Sequence, residues 1–130
     1  MDTAVLHSIW KESAQQEWSS TPVWLHGDIS LGNLLTNDGK LSAVIDFGCC
    51  AVGDPACDLA IAWTLFHGSS RKLFREVRNV DLQTWHRGRG WALWKALIIL
   101  SGIDQNQADR DKVEGVVQGI VDDYLYENAP

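Results

Sequence analysis

Two polar clusters stand out in this chain: His26-Gly27-Asp28-Ile29-Ser30-Leu31-Gly32-Asn33 and Ile45-Asp46-Phe47-Gly48. They supply two carboxylates and a carboxamide. Transfer of a phosphoryl group from ATP to a hydroxyl asks a protein for little covalent chemistry. It asks for positioning, for neutralisation of phosphate charge and for a group that accepts or orients the hydroxyl proton. Asp28 reads as that last group. Asn33 and Asp46 offer hard oxygen ligands of the kind Mg²⁺ takes, with phosphate oxygens supplying further ligands. His26 reads as a structural ring behind the loop, and Gly27 as a residue without Cβ beside the reacting groups.

These groups cooperate only if the chain folds back on itself. Leu34–Thr36 and Leu41–Asp46 read as two strands, and Asn37-Asp38-Gly39-Lys40 between them is a hairpin signal. A tight hairpin brings Asn33 and Asp46, 13 positions apart, to one end. Val23–His26 reads as a short extended run entering the loop, and residues 47–54 as loop. Asp54 caps and Pro55 opens a helix that runs to about Phe66 and buries Leu59, Ala62, Trp63 and Phe66. Asp58, charged and set in the apolar start of that helix, calls for a hydrogen-bonding partner. A first helix is expected over residues 2–17, with Val5, Ile9 and Trp10 on its apolar stripe. Others are expected over 71–78, 82–100 and 108–126, the last burying Val113, Val116, Val117, Ile120, Val121 and Tyr124. A small antiparallel hairpin followed by four helices is an α+β layout.

The chain has 130 residues, 45% hydrophobic and 22% charged, which fits one globular domain over residues 1–130. Its net charge of −6 argues against nucleic acid as a partner. Arg71, Lys72, Arg75 and Arg78 interleave with Leu73, Phe74 and Val77, which reads as a solvated helix face. The run Trp91–Leu100 is interrupted by Lys95 and is too short to span a bilayer. No signal sequence is visible, so the expectation is a cytoplasmic protein without a membrane partner. Cys49, Cys50 and Cys57 have no C-x-x-C spacing, so neither a zinc site nor a disulfide framework is indicated. Seven tryptophans suggest a well-filled core or an apolar face that expects a partner. The stripe over 91–100 reads as core.

Asp28 with Asn33 five residues later matches the catalytic loop of protein kinases, and Asp46-Phe47-Gly48 matches their D-F-G. With Gly27 between His26 and Asp28, the loop more closely resembles the aminoglycoside phosphotransferase and choline kinase family. Trp24-Leu25-His26-Gly27-Asp28 and Gly53-Asp54-Pro55-Ala56-Cys57-Asp58-Leu59-Ala60 carry the resemblance, which is strong over residues 22–66. Arg89-Gly90-Trp91-Ala92-Leu93-Trp94 is compatible with it. The resemblance implies a mostly helical, protein-kinase-like C-terminal lobe. Asp28 would be its catalytic base and Asn33 and Asp46 its metal ligands. Leu35 and Ile45 would form the floor beneath a nucleotide base, His26 would support the loop, and Asp58 would hydrogen-bond the loop backbone. Mg²⁺ with ATP or another nucleoside triphosphate is implied, as is a small-molecule hydroxyl substrate, with aminoglycosides among the choices. Acidic side chains hold amino sugars in that family. Asp104, Asp109, Asp111, Asp122, Asp123 and Glu127 qualify here by charge.

Members of the family also carry an N-terminal lobe of β-strands, with a lysine on the ATP phosphates and a loop covering them. Only 27 residues precede Asp28. Lys11 falls in an expected helix and Lys40 in a turn. That lobe is therefore expected to be absent from residues 1–130. Three readings follow. The first is an ATP-dependent phosphotransferase, with this chain as its catalytic lobe or a fragment and a separate N-terminal lobe as partner. The second is a non-catalytic remnant that binds a ligand or partner, or forms a homodimer through the face a nucleotide lobe would cover. The third is a metal-dependent hydrolase using His26, Asp28, Asp46 and His67. It ranks last, because only His26 lies near the acids.

Overall fold

A computed structural model of the chain describes residues 2–15, 17–103 and 109–129. Helix α1 (Thr3–Ser13) starts where the Asp2 carboxylate accepts from the Ala4 amide at 2.9 Å. It ends earlier than its sequence suggests. The Ser13 hydroxyl lies between the carbonyls of Ile9 and His86, at 2.8 and 2.9 Å, and pins the helix end to a later helix. Its buried face is Leu6, Ile9 and Ser13. Trp10, expected inside, is about half exposed.

The β structure is two small antiparallel ladders. Strands β2 (Leu34–Asn37) and β3 (Lys40–Val44) form the expected hairpin. Its turn residues Asp38 and Gly39 have φ of 50° and 75°. Both therefore sit in the left-handed region that a two-residue turn of matching twist requires. Strand β1 (Val23–Leu25) pairs with β4 (Ala51–Gly53), setting Trp24 opposite Val52. The sequence reads 47–54 as loop because three residues are too few to display an alternating pattern.

The single helix expected over 55–66 is instead a 3₁₀ turn, Pro55–Ala60, running into the short α2 (Ile61–Thr64). Helix α3 (Gly68–Arg78) begins three residues before the expected start, because the Ser70 hydroxyl takes the free amide of His67 at 3.0 Å. Helix α4 (Leu82–Leu100) is the central element, packed against the Pro55–Ala60 turn, α1 and α5 (Arg110–Glu127). It tolerates two internal glycines because each is a place of close approach. A Cβ on Gly88 would sit 2.7 Å from Leu59 Cβ, and one on Gly90 would meet Ser13. The expected start of α5 at Ala108 lies outside the described residues; Asp109 caps the helix, accepting from the Asp111 amide at 3.1 Å.

The core gathers Ile9, Leu59, Trp63, Trp85, Leu93, Val117 and Ile120, all essentially inaccessible. Trp63 and Trp85 meet ring on ring at 4.6 Å. Of the stripe over 91–100, Ala92, Leu93 and Ala96 are buried, whereas Trp91 and Trp94 remain over two-fifths exposed. Phe66 is only half-buried and stacks on Phe74. The basic face of α3 is not simply solvated. Arg71 donates to the carbonyls of Ala62, Phe66 and Gly119. Arg75 pairs with Glu127 at 2.9 Å and lies over the Trp85 ring. Long cationic side chains bury their stems and send the head to acceptors, which helical spacing alone does not reveal. Among the described residues, no helix is long and apolar enough to cross a membrane.

Candidate active site

The loop between β1 and β2 is held by a closed circuit of hydrogen bonds. The Asp28 amide donates to His26 Nδ1 at 3.2 Å, and His26 Nε2 lies 2.8 Å from the Ile45 carbonyl. Because a backbone N–H can only donate and a carbonyl can only accept, the ring is the neutral Nε2–H tautomer. The Ile45 amide donates to the Asn33 carbonyl at 3.0 Å, and Asn33 Nδ2 donates to the Asp28 carbonyl at 2.8 Å. Four residues scattered over 20 positions are thereby fixed at one end of the hairpin. Asp58 closes the loop from below. Its two carboxylate oxygens accept from the amides of His26 at 2.7 Å and Gly27 at 2.9 Å. Gly27 needs its missing Cβ. Its φ is +83°, and a side chain would collide with the Cys49 carbonyl. Phe47 covers the His26 ring, with centroids 4.6 Å apart.

Asp46 follows directly on Ile45, with φ 62° and ψ 63°. A non-glycine residue in that region is uncommon and costs on the order of 1 kcal/mol, and such residues cluster at functional sites. Its carboxylate is exposed and has no hydrogen bond or ion pair among the described residues. Asn33 has committed its NH₂ group to the loop and keeps its carbonyl oxygen, the end that can ligate a cation. A free carboxylate and a free amide oxygen at one hairpin end make a donor set that fits Mg²⁺. Leu35 pairs with Ala43, two residues before Ile45, so the pleat sets Leu35 and Ile45 on one face of the hairpin, both over two-fifths exposed.

The profile of the phosphotransferase enzyme family matches residues 3–91. The chain belongs to that family. Aminoglycoside 3'-phosphotransferases of Escherichia coli and Salmonella typhimurium are each 41% identical to it over 80 residues, covering 58% of this chain and 30% of theirs. A thermostable mutant of aminoglycoside phosphotransferase APH(4)-Ia, solved as a ternary complex with AMP-PNP and hygromycin B, superposes with a TM-score of 0.56 at 25% identity. That match covers 94% of this chain and 45% of the other. The apo form of the same enzyme matches in fold with a TM-score of 0.57. The chain thus spans under a third of its curated relatives and under half of these solved structures.

Within this family member, one close neighbour of Asp28 escapes the motif. Lys95 Nζ, from α4, lies 2.7 Å from Asp28 Oδ1. In sequence it shows only as the one charge interrupting Trp91–Leu100. The acids that charge alone nominates are mostly committed elsewhere. Asp123 accepts from Trp63 Nε1 and Arg89, and Glu127 from Arg75 and Arg89. Asp109 caps α5, Asp111 supplies the amide that it caps, and Asp122 accepts from Gln118. Asp104 lies outside the described residues. Asp54 caps the Pro55 turn, accepting from the Ala56 amide, and pairs with Arg87 at 2.7 Å.

His26, Asp28, Asp46 and His67 do not converge as ligands among the described residues. The one such cluster there is Glu12, His86 and Glu127, where the Arg89 guanidinium already sits at 2.7 and 3.0 Å from the two carboxylates. Both His26 nitrogens are occupied within the loop. Among the described residues, the metal-dependent hydrolase reading therefore lacks a site. Burial, with Asp58 and Asp54 nearby, pushes the Cys57 thiol up to about 11, so it stays neutral and unreactive at ordinary pH.

Proposed function

We propose that this chain is the catalytic lobe of an ATP-dependent phosphotransferase acting on a small-molecule hydroxyl, within a cytoplasmic enzyme. The observation that carries the reading is the closed hydrogen-bond circuit through His26, Asp28, Asn33 and Ile45, which sets a carboxylate, an amide oxygen and Asp46 at one hairpin end. Family membership supports the reaction class. Asp28 accepts or orients the proton of the attacking hydroxyl, and its backbone is held still by His26 and Asn33. Asn33 and Asp46 would hold Mg²⁺, which when bound neutralises phosphate charge. Leu35 and Ile45 offer an apolar floor for a nucleotide base. Asp58 positions the loop through two amides. Kinship with enzymes named for aminoglycosides makes an amino sugar one acceptor to test.

Exposed apolar side chains on the two ladders and the turn after them, Trp24, Leu35, Leu41, Ile45, Phe47 and Val52, support a second lobe, separate chain or homodimer partner covering part of this surface. The same surface keeps the non-catalytic remnant reading in play, and activity separates the two. Calorimetry of the purified chain with ATP and Mg²⁺ is expected to show metal-dependent binding that Asp46→Ala abolishes. A screen of alcohols for ATP turnover is expected to give activity that Asp28→Ala lowers by about 10²–10⁴-fold with nucleotide binding retained. Binding without any turnover would favour the remnant, and absence of binding would overturn the proposal for this chain alone.

A further inference from the structure

The cavity beside Asp28 encloses about 420 Å³ and runs between the catalytic loop and α4. Among the described residues lining it, Asp28 carries the one carboxylate and Lys95 the one cation, and the two are joined at 2.7 Å. The remaining walls are neutral: Trp91, Trp94 and Ile98 from α4, with Ser30 and Thr64 among the other lining residues. Trp91 and Trp94 meet edge to face at 5.5 Å. Both also line the adjoining apolar groove toward Trp10, so the aromatic surface extends past the pocket mouth. Cys57, with its thiol pKa raised, adds no charge.

We propose that Lys95 is a specificity-determining residue that makes this pocket select uncharged, ring-bearing alcohols over amino sugars. The proposal rests on the reading of Asp28 as the group that meets the acceptor hydroxyl. With Lys95 on Asp28 the pocket has no uncompensated negative charge. An ammonium entering it loses hydration and gains no counter-charge, whereas a neutral glycoside loses little and lays its ring on indole. An ammonium that displaced Lys95 would occupy the carboxylate needed by the hydroxyl.

The test uses a matched pair, phenyl β-D-glucopyranoside and phenyl 2-amino-2-deoxy-β-D-glucopyranoside, which differ by one hydroxyl exchanged for an ammonium. Each is titrated into the chain at pH 6 while the indole N–H signals are followed by NMR, those of Trp91 and Trp94 being assigned through W91F and W94F. The neutral glycoside is expected to bind at least tenfold more tightly and to shift both signals. Lys95→Met, which keeps the apolar stem, is expected to shrink the preference below threefold, and Lys95→Glu to reverse it. Unchanged thermal melts show that the variants fold. Equal or tighter binding of the amino sugar by the native chain overturns the proposal, as does a ratio unmoved by both variants or binding of neither glycoside. Because the readout is binding, a chain that shows the selectivity but never turns over ATP fails only the proposed function.

Discussion

At the scale of single residues, Asp58 shows how much depends on one carboxylate that holds the backbone just before Asp28. It satisfies two consecutive amides of the loop, and bonds to a charged acceptor are worth about 1.5–3 kcal/mol each. Asp58→Ala is expected to destabilise the chain by about 3 kcal/mol in urea denaturation, the low end for two such bonds because the one to Gly27 is exposed, and Asp58→Asn by less, because an amide oxygen can still serve one of the two donors. Gly27→Ala adds a Cβ where the Cys49 carbonyl stands, at a positive φ that alanine resists. It is expected to perturb amide chemical shifts around Asp28 and Cys49 while leaving those of α5 in place.

At the scale of elements, the hairpin and α4 make different demands. Asp38 and Gly39 both take positive φ, so Gly39→Val forces a β-branched residue into the left-handed region. A loss of about 1–2 kcal/mol is expected, read as a lower urea midpoint at unchanged slope. Helix α4 must approach the Pro55–Ala60 turn that carries Asp58. Gly88→Ala overpacks against Leu59 and is expected to cost about 1–3 kcal/mol. If α4 backs away to relieve the clash, Lys95 moves with it, and the change should appear in the Asp28 signals as well as in stability.

At the scale of the whole molecule, α1, α4 and α5 are joined by a buried ionic cluster. Arg89 is inaccessible to solvent and reaches Glu12 at 2.7 Å, Glu127 at 3.0 Å and Asp123 at 3.2 Å. Arg89→Met leaves three acids facing one another, and a loss of about 3–5 kcal/mol is expected. Burial alone would raise the Glu127 carboxyl, but Arg75, Arg89 and His86 outweigh it and hold the group below its ordinary 4.5. The folded protein therefore binds this proton less readily than the unfolded chain. The stabilisation is present above about pH 4.5 and is lost as the pH falls through the folded value. Thermal melts are expected to decline along that limb, and Glu127→Gln to lower the melting temperature at pH 7 while flattening the decline. Asp81, held low by its bonds to Thr84, leaves a residual slope.

The sequence by itself determined what is local and periodic. The turn at Asp38-Gly39 needs residues that accept positive φ, α4 and α5 repeat their apolar positions at helical spacing, and the motif around Asp28 and Asp46 points to the family. It also marked Asp58 as a charge in need of a partner, without the geometry of the two amides it serves. What only the tertiary structure decided depends on segments distant in sequence meeting at an angle no pattern encodes. Lys95 reaches Asp28 across 67 positions, Arg89 collects acids from two other helices, and β4 exists only because β1 lies beside it. Trp91 and Trp94 follow the same rule: the stripe on α4 is wider than its neighbours can cover, so the packing of α1 and the loop after β1 leaves those two rings lining the pocket instead of filling the core.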